Sequence, residues 1–171
     1  LQAREALCAL YKHINSAGLD ADRIAVMGHS AGGHITQMML GTDWRAVDKD
    51  LPVDLIHAGI AISPISFLEP VRLTAELNNT IRMSKAEAES QSPLISHPPC
   101  TNAPQLLAVG ETETSEFHRQ ARMYYEMFGD QNRSIELYIV PGVDHFDELN
   151  VLADTDSEFF NKAVRLIKNS T

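Results

Sequence analysis

Apolar residues recur along the chain at two spacings. Ala3, Leu7, Leu10, Tyr11 and Ile14 keep helical intervals and predict a helix over residues 1–17, ended by Gly18. Asp20-Ala21-Asp22 then turns the chain into a short apolar run, Ile24 to Met27, the pattern of a strand buried on both faces. Ala31, Ile35, Met38 and Met39 return to helical spacing, with Gly41 at the stop. A second strand is expected over residues 55–62, a third over 105–109 and a fourth over 134–140. Helices are expected over 115–128, with Phe117, Ala121, Tyr124 and Phe128 on one face, and over 156–168, burying Phe160, Ala163, Val164 and Ile167. Residues 42–54 read as a polar, acidic connection that carries Trp44.

Strands alternating with helices define an α/β chain with a parallel sheet, and sites in such sheets lie beyond the carboxyl ends of the strands. The stretch between the second and third strands breaks the alternation. Pro64, Pro70, Pro93, Pro98, Pro99 and Pro104 punctuate short helical pieces near 71–77 and 85–90. That pattern predicts a lid-like insertion at about 66–104 within a single domain spanning 1–171.

One turn changes the picture from architecture to chemistry. Gly28-His29-Ser30-Ala31-Gly32 is G-x-S-x-G lying between a predicted strand and a predicted helix. In that context the glycines, Gly28 and Gly32, are expected to allow close approach and unusual dihedrals, with the Ser30 hydroxyl pushed out at the strand end. The Ala31 N–H, at the helix start, would face an oxyanion formed there. A serine nucleophile needs a base, and the base an orienting acid, both beyond later strand ends. Among the seven histidines, His145 stands on a loop after the fourth strand, whereas His13, His29, His34, His57, His97 and His118 fall in the turn, helices, a strand or the proline-rich stretch. The acid is expected after the third strand, where Glu113 is favoured and Glu111 is its rival; Asp144, adjacent to the histidine, points away from it. The order Ser30, Glu113, His145 is that of α/β-hydrolases.

The turn, preceded by Asp22-Arg23-Ile24 and followed by Gly33-His34, resembles the esterase/lipase branch of the α/β-hydrolases. Ile62-Ser63-Pro64-Ile65-Ser66, Glu69-Pro70-Val71, Leu77-Asn78-Asn79, Ser92-Pro93-Leu94 and the run from Gly110 to Gln120 are similar to its kynurenine formamidase-like members. The resemblance implies a three-layer α/β-hydrolase fold, here partial, with about four parallel strands flanked by helices. It implies a serine hydrolase cleaving a small carboxylic ester or N-formyl amide, with no metal or organic cofactor. Phe67 stands where these relatives usually carry an aspartate, and Glu113 where they carry the shorter acid; Phe67, Leu68 and Leu77 are the expected apolar substrate contacts. The resemblance also implies further strands and a His-Gly-Gly motif ahead of the first strand, which this chain lacks. The edge of that strand is therefore expected to be covered by a preceding segment or by a second copy of the chain. A rival reading is a non-catalytic remnant that uses this edge to bind a partner.

Charge and composition narrow the remaining classes. A net charge of −9 over 171 residues argues against nucleic acid or an anionic membrane as a partner. No apolar run reaches the length of a membrane span. Two cysteines, Cys8 and Cys100, give neither a disulfide framework nor metal-ligand spacing, and the default location is cytoplasmic.

Overall fold

In the computed structural model, which describes residues 2–19, 23–129 and 134–170, four strands form one parallel sheet in sequence order. They are β1 (Ala25–His29), β2 (Ala58–Ile62), β3 (Gln105–Gly110) and β4 (Ile135–Val140). Register places Val26 beside Gly59, Gly59 beside Gln105 and Gln105 beside Ile135. β2 and β3 are buried at every residue, as strands covered on both faces must be.

The helices are α1 (Gln2–Ser16), α2 (Ala31–Leu40), α3 (Trp44–Val47), α4 (Glu69–Leu73), α5 (Ala75–Ile81), α6 (Lys85–Ser90), α7 (Pro93–Ser96), α8 (Ser115–Phe128), α9 (Glu148–Ala153) and α10 (Glu158–Asn169). Successive strand residues point to opposite faces, so each strand feeds two cores. Ala61 and Leu107 pack with Tyr124 of α8, while Ile60, Ile62, Leu106 and Ala108 pack with Phe159 and Ala163 of α10. Helix α2 lies on the α8 face over β1 and β2: a side chain at Gly59 would meet Leu40 Cδ1 at 2.5 Å. The result is the expected three-layer α/β architecture.

Several details depart from expectation. β1 is not buried on both faces. It is an edge, and Met27, in register with Ile60, is 58% exposed on the face where α10 packs on Ile60, Ile62, Leu106 and Ala108. The turn expected at 20–22 lies outside the described residues. Leu10 is exposed on α1, whose Ala3, Leu7 and Tyr11 pack against Ile24, Met38 and Met39. Trp44 is not on a polar connection. Asp43 caps α3 by accepting from Ala46 N, and this turns the indole into the core with Leu51, Leu55 and Ile56. Leu55 and Ile56 precede β2 instead of belonging to it.

The α10 stripe is rotated by one residue from the expected one. Ser157 caps the helix, Phe159 is fully buried, Phe160 is only half-buried and Ile167 is exposed. Adjacent phenylalanines fit one helical pattern almost equally well, and the docking angle selects between them. Phe159→Ala should cost about 3–5 kcal/mol, as for other fully buried aromatics, and Phe160→Ala less than half of that. Chemical denaturation of the two variants checks the assignment.

Candidate active site

The site begins with a backbone that has no room for side chains. A Cβ on Gly28 would lie 2.2 Å from the Gly32 carbonyl oxygen, so the strand passes into the helix only because Gly28 is bare. Ser30, at the apex, takes φ 56° and ψ −115°, a strained conformation for a residue with a side chain. Its N–H donates to Ile62 O at 2.8 Å, which pins the turn to the end of β2. Gly33 is the second close approach, since its Cβ would fall 2.8 Å from Ile62 O. Gly32 does not match the expectation made for it: a Cβ there meets nothing within 4 Å. Ala31 is the first residue of α2, so its N–H lacks an intrahelical acceptor.

β4 is at the opposite edge of the sheet from β1, yet the loop after it returns across the strand ends. At Gly110 a Cβ would sit 2.7 Å from Val143 O and 2.9 Å from Asp144 O, so this crossing also needs a glycine. Thr112 N donates to Val143 O at 3.0 Å, and Gly142 N donates to Glu111 Oε2 at 2.7 Å. Glu111 thus tethers the loop. Glu113 meets the histidine: His145 Nδ1 donates to Glu113 Oε2 at 2.7 Å, with the Glu113 side chain 1% exposed. Asp144 accepts from Phe146 N and Asp147 N, which holds its carboxyl below the usual range. Phe117 of α8 packs on the His145 ring, with centroids 4.7 Å apart.

Three further residues belong to this constellation. Ser63 follows β2 with φ 41°, is fully buried, and donates its hydroxyl to Glu113 Oε1, which also accepts from Gly110 N at 2.8 Å. His29, next to the nucleophile candidate, donates from Nε2 to the His145 carbonyl at 2.8 Å and stacks on its ring at 4.4 Å. Burial, then the neighbouring His145, push the His29 pKa down. Glu148, the first residue of α9, is wholly buried with its Oε1 3.1 Å from His29 Nε2. Ser63 was visible in the sequence only within the Ile62-Ser63-Pro64 segment of the resemblance and His29 only as a residue of the turn, with no role assigned to either, and Glu148 gave no signal.

His29, His145 and Glu148 each offer a ligand atom within 4.8 Å of the others. His145 Nδ1 is already bonded to Glu113 and His29 Nε2 to the His145 carbonyl, so the set fits internal hydrogen bonding better than coordination. The expected substrate contacts have different surroundings. Phe67 exchanges backbone bonds with the Gln120 amide (2.8 and 3.1 Å) and packs beside α8, Leu68 is buried with its N–H on Ser92 Oγ, and Leu77 is half exposed. No described helix is long and apolar enough to cross a membrane.

A serine on a strained strand-to-helix turn and a carboxylate–histidine pair on later loops of one parallel sheet define the class. Residues 2–147 match the family model described as alpha/beta hydrolase fold, and the chain belongs to that family. It is similar to the kynurenine formamidases of Salmo salar (27% identity) and Danio rerio (26%), each match covering 94% of this chain and 52% of the relative. The chain therefore spans about half the length of these curated relatives. Among solved structures, Thermogutta terrifontis esterase 2 phosphoramylated by tabun superposes with a TM-score of 0.65 at 20% identity, over 98% of this chain and 61% of that one.

The two elbow glycines separate experimentally. Gly28→Ala should destabilise the fold by about 1–3 kcal/mol through overpacking. Gly32→Ala should be neutral or stabilising by up to about 1 kcal/mol, since alanine is the better helix former. Melting temperatures of the pair read the difference directly.

Proposed function

We propose that this chain carries the nucleophile, acid and base of a serine hydrolase acting on a small carboxylic ester or N-formyl amide. The observation that carries the reading is the Glu113–His145 bond of 2.7 Å, held on loops above the strand ends from which Ser30 is projected. With Nδ1 committed to Glu113, His145 offers Nε2 as base. Ser30 Oγ attacks the carbonyl carbon as its proton passes to Nε2, and the carbonyl oxygen becomes an oxyanion facing the Ala31 N–H. Collapse expels the alcohol or amine, which takes that proton. Water then attacks the acyl-enzyme, with His145 again accepting and returning a proton, and the carboxylic acid leaves. Glu113 holds the imidazolium through both halves. No metal or organic cofactor enters this reaction.

N-formylkynurenine and a short-chain carboxylester are the two candidate substrates, the first suggested by the named relatives. Phe67, Leu68 and Leu77, on the stretch 66–104, are the proposed apolar contacts, with Leu77 the outward one. A cytoplasmic setting belongs to the same proposal.

A second reading has its own support. The outer edge of β1 has no pairing strand among the described residues, and beside it lies an open cleft of about 390 Å³ lined by Val26, Met27, Gly32 and Ile35. Covering by a preceding segment, by a second copy or by another protein fits this surface, and a chain used only for such binding needs no working serine.

Fluorophosphonate labelling with peptide mapping discriminates these readings. Labelling confined to Ser30 and abolished in Ser30→Ala is expected. Glu113→Gln should slow it by about 10⁴-fold, as loss of the acid does in other triads, and Glu111→Gln should leave it near the wild-type rate. A folded chain that resists labelling would overturn the hydrolase reading, and a labelled monomer would set aside a role confined to edge binding.

A further inference from the structure

Ser30 and His145 are carried by different parts of the scaffold. Ser30 sits on the turn after β1, pinned through its N–H to Ile62 O at the end of β2. The loop of His145 is fastened to the residues after β3. Thr112 N donates to Val143 O, Gly142 N to Glu111 Oε2 and His145 Nδ1 to Glu113 Oε2. None of these bonds holds the loop against the turn. Among the described residues a single hydrogen bond joins the two, from His29 Nε2 to the His145 carbonyl oxygen at 2.8 Å.

That bond is a short mechanical link. Its donor is the residue before Ser30, and its acceptor is the main chain of the histidine itself, so no third residue intervenes. The ring of His29 is well placed to hold it. His29 ends β1 in register with Ile62 and lies on the same face of the strand as Met27. It stacks on the His145 ring with centroids 4.4 Å apart, while Phe117 packs on that ring at 4.7 Å. Glu148 Oε1 is 3.1 Å from His29 Nε2, yet the N–H is directed at the carbonyl. A carbonyl only accepts, so Nε2 must carry the hydrogen.

We propose that His29 is a positioning residue that donates from Nε2 to the His145 main chain and so sets the approach of the base to Ser30, doing from the β1 side what Glu113 does from the β3 side. The proposal rests on the hydrolase reading for its catalytic meaning, whereas the bond and the tautomer stand without it. A neutral ring suits this role, because His145 becomes an imidazolium during the reaction and a second cation stacked on it would oppose that step. The titratable groups facing His29 are His145, Glu113 and Glu148. Burial, then His145, push the His29 pKa down, against the pull of the His145 carbonyl and Glu113. Burial pushes the Glu148 pKa up to about 8, so that acid carries little charge near neutral pH.

The test uses the full chain with ¹⁵N-labelled histidine and the variants His29→Phe, His29→Gln and His29→Asn. Phenylalanine keeps a ring for the stack and removes the donor, glutamine returns an N–H at the reach of Nε2, and asparagine carries the same amide one carbon short. Wild-type His29 should be the Nε2–H tautomer at neutral pH. A base misplaced by about 1 Å costs up to about 10²-fold, so fluorophosphonate labelling of Ser30 should slow about 10- to 10²-fold in His29→Phe and His29→Asn. His29→Gln should recover most of that rate. The Nδ1–H signal of His145, bonded to Glu113, should persist in all three variants, which separates loss of positioning from loss of the fold. An Nδ1–H tautomer of His29 would overturn the proposal, as would wild-type labelling rates in His29→Phe or His29→Asn. A glutamine variant as slow as the other two would also overturn it, since shape and not the donor would then be acting. If His29→Phe does not fold, His29→Asn carries the comparison, and the tautomer is read on the wild type in any case. Failure of the hydrolase reading is distinct: a folded wild type with the Nε2–H tautomer that takes no label, which removes the positioning role and leaves the bond.

Discussion

Backbone packed against backbone is the constraint on which the rest of this site depends. The strand-to-helix turn closes only because Gly28 has no Cβ to strike the Gly32 carbonyl. The loop from β4 crosses the sheet only because Gly110 has none to strike Val143 and Asp144. β1 and β4 are opposite edges of a four-stranded sheet. Strands lie about 4.8 Å apart, so groups from the two edges meet only if a connection runs back over the carboxyl ends. The crossing at Gly110 provides it, and the bond from His29 Nε2 to the His145 carbonyl ties its far end to the turn that carries Ser30.

That arrangement concentrates charge in a dry place. Glu113 is satisfied three times, by His145, Gly110 N and Ser63. Glu148 has no such set and must be accommodated differently. Burial first pushes the Glu148 pKa up to about 8. Of the two acids after β3, Glu113 and not Glu111 meets the histidine. Glu111 is exposed and occupied with the Gly142 N–H, and one residue of chain on either side separates a loop tether from a buried acid.

Much of this was legible in the residues. The switch between short apolar runs and period 3.6 located the four strands and helices α1, α2, α8 and α10 to within a few residues. G-x-S-x-G and the chain order selected Ser30, Glu113 and His145 for the positions where the structure puts a strained serine and a bonded acid–histidine pair. The apolar pattern of Ile24 to Met27 does not tell edge from centre for β1; only the resemblance, with its missing preceding strands, pointed to an edge there. Trp44 hid in a polar run because a single buried residue has no periodicity. Ser63, His29 and Glu148 are joined to the site by contacts between residues far apart in sequence, and local patterns carry no trace of them.

Exposure along the rest of the site is unevenly distributed. Around His145 and Glu113 the chain is closed, with Phe117 on the ring and buried partners behind the acid. Around the start of α2 it is open: Ala31 is exposed, a Cβ on Gly32 would touch nothing, and Met27 and Ile35 stand out beside the free edge. The Glu113–His145 pair is therefore enclosed by described residues, while on the proposed reading the oxyanion side of Ser30 has the Ala31 N–H beside an open apolar cleft. Loss of one oxyanion donor costs about 10²–10³ in rate, so on that reading a second donor beside Ala31 would matter as much as the acid–histidine pair. On the proposed hydrolase reading, activation of the serine and stabilisation of the charge it generates thus draw on different surfaces of the fold, the closed loops of Glu113 and His145 for the first and the open edge beside Ala31 for the second.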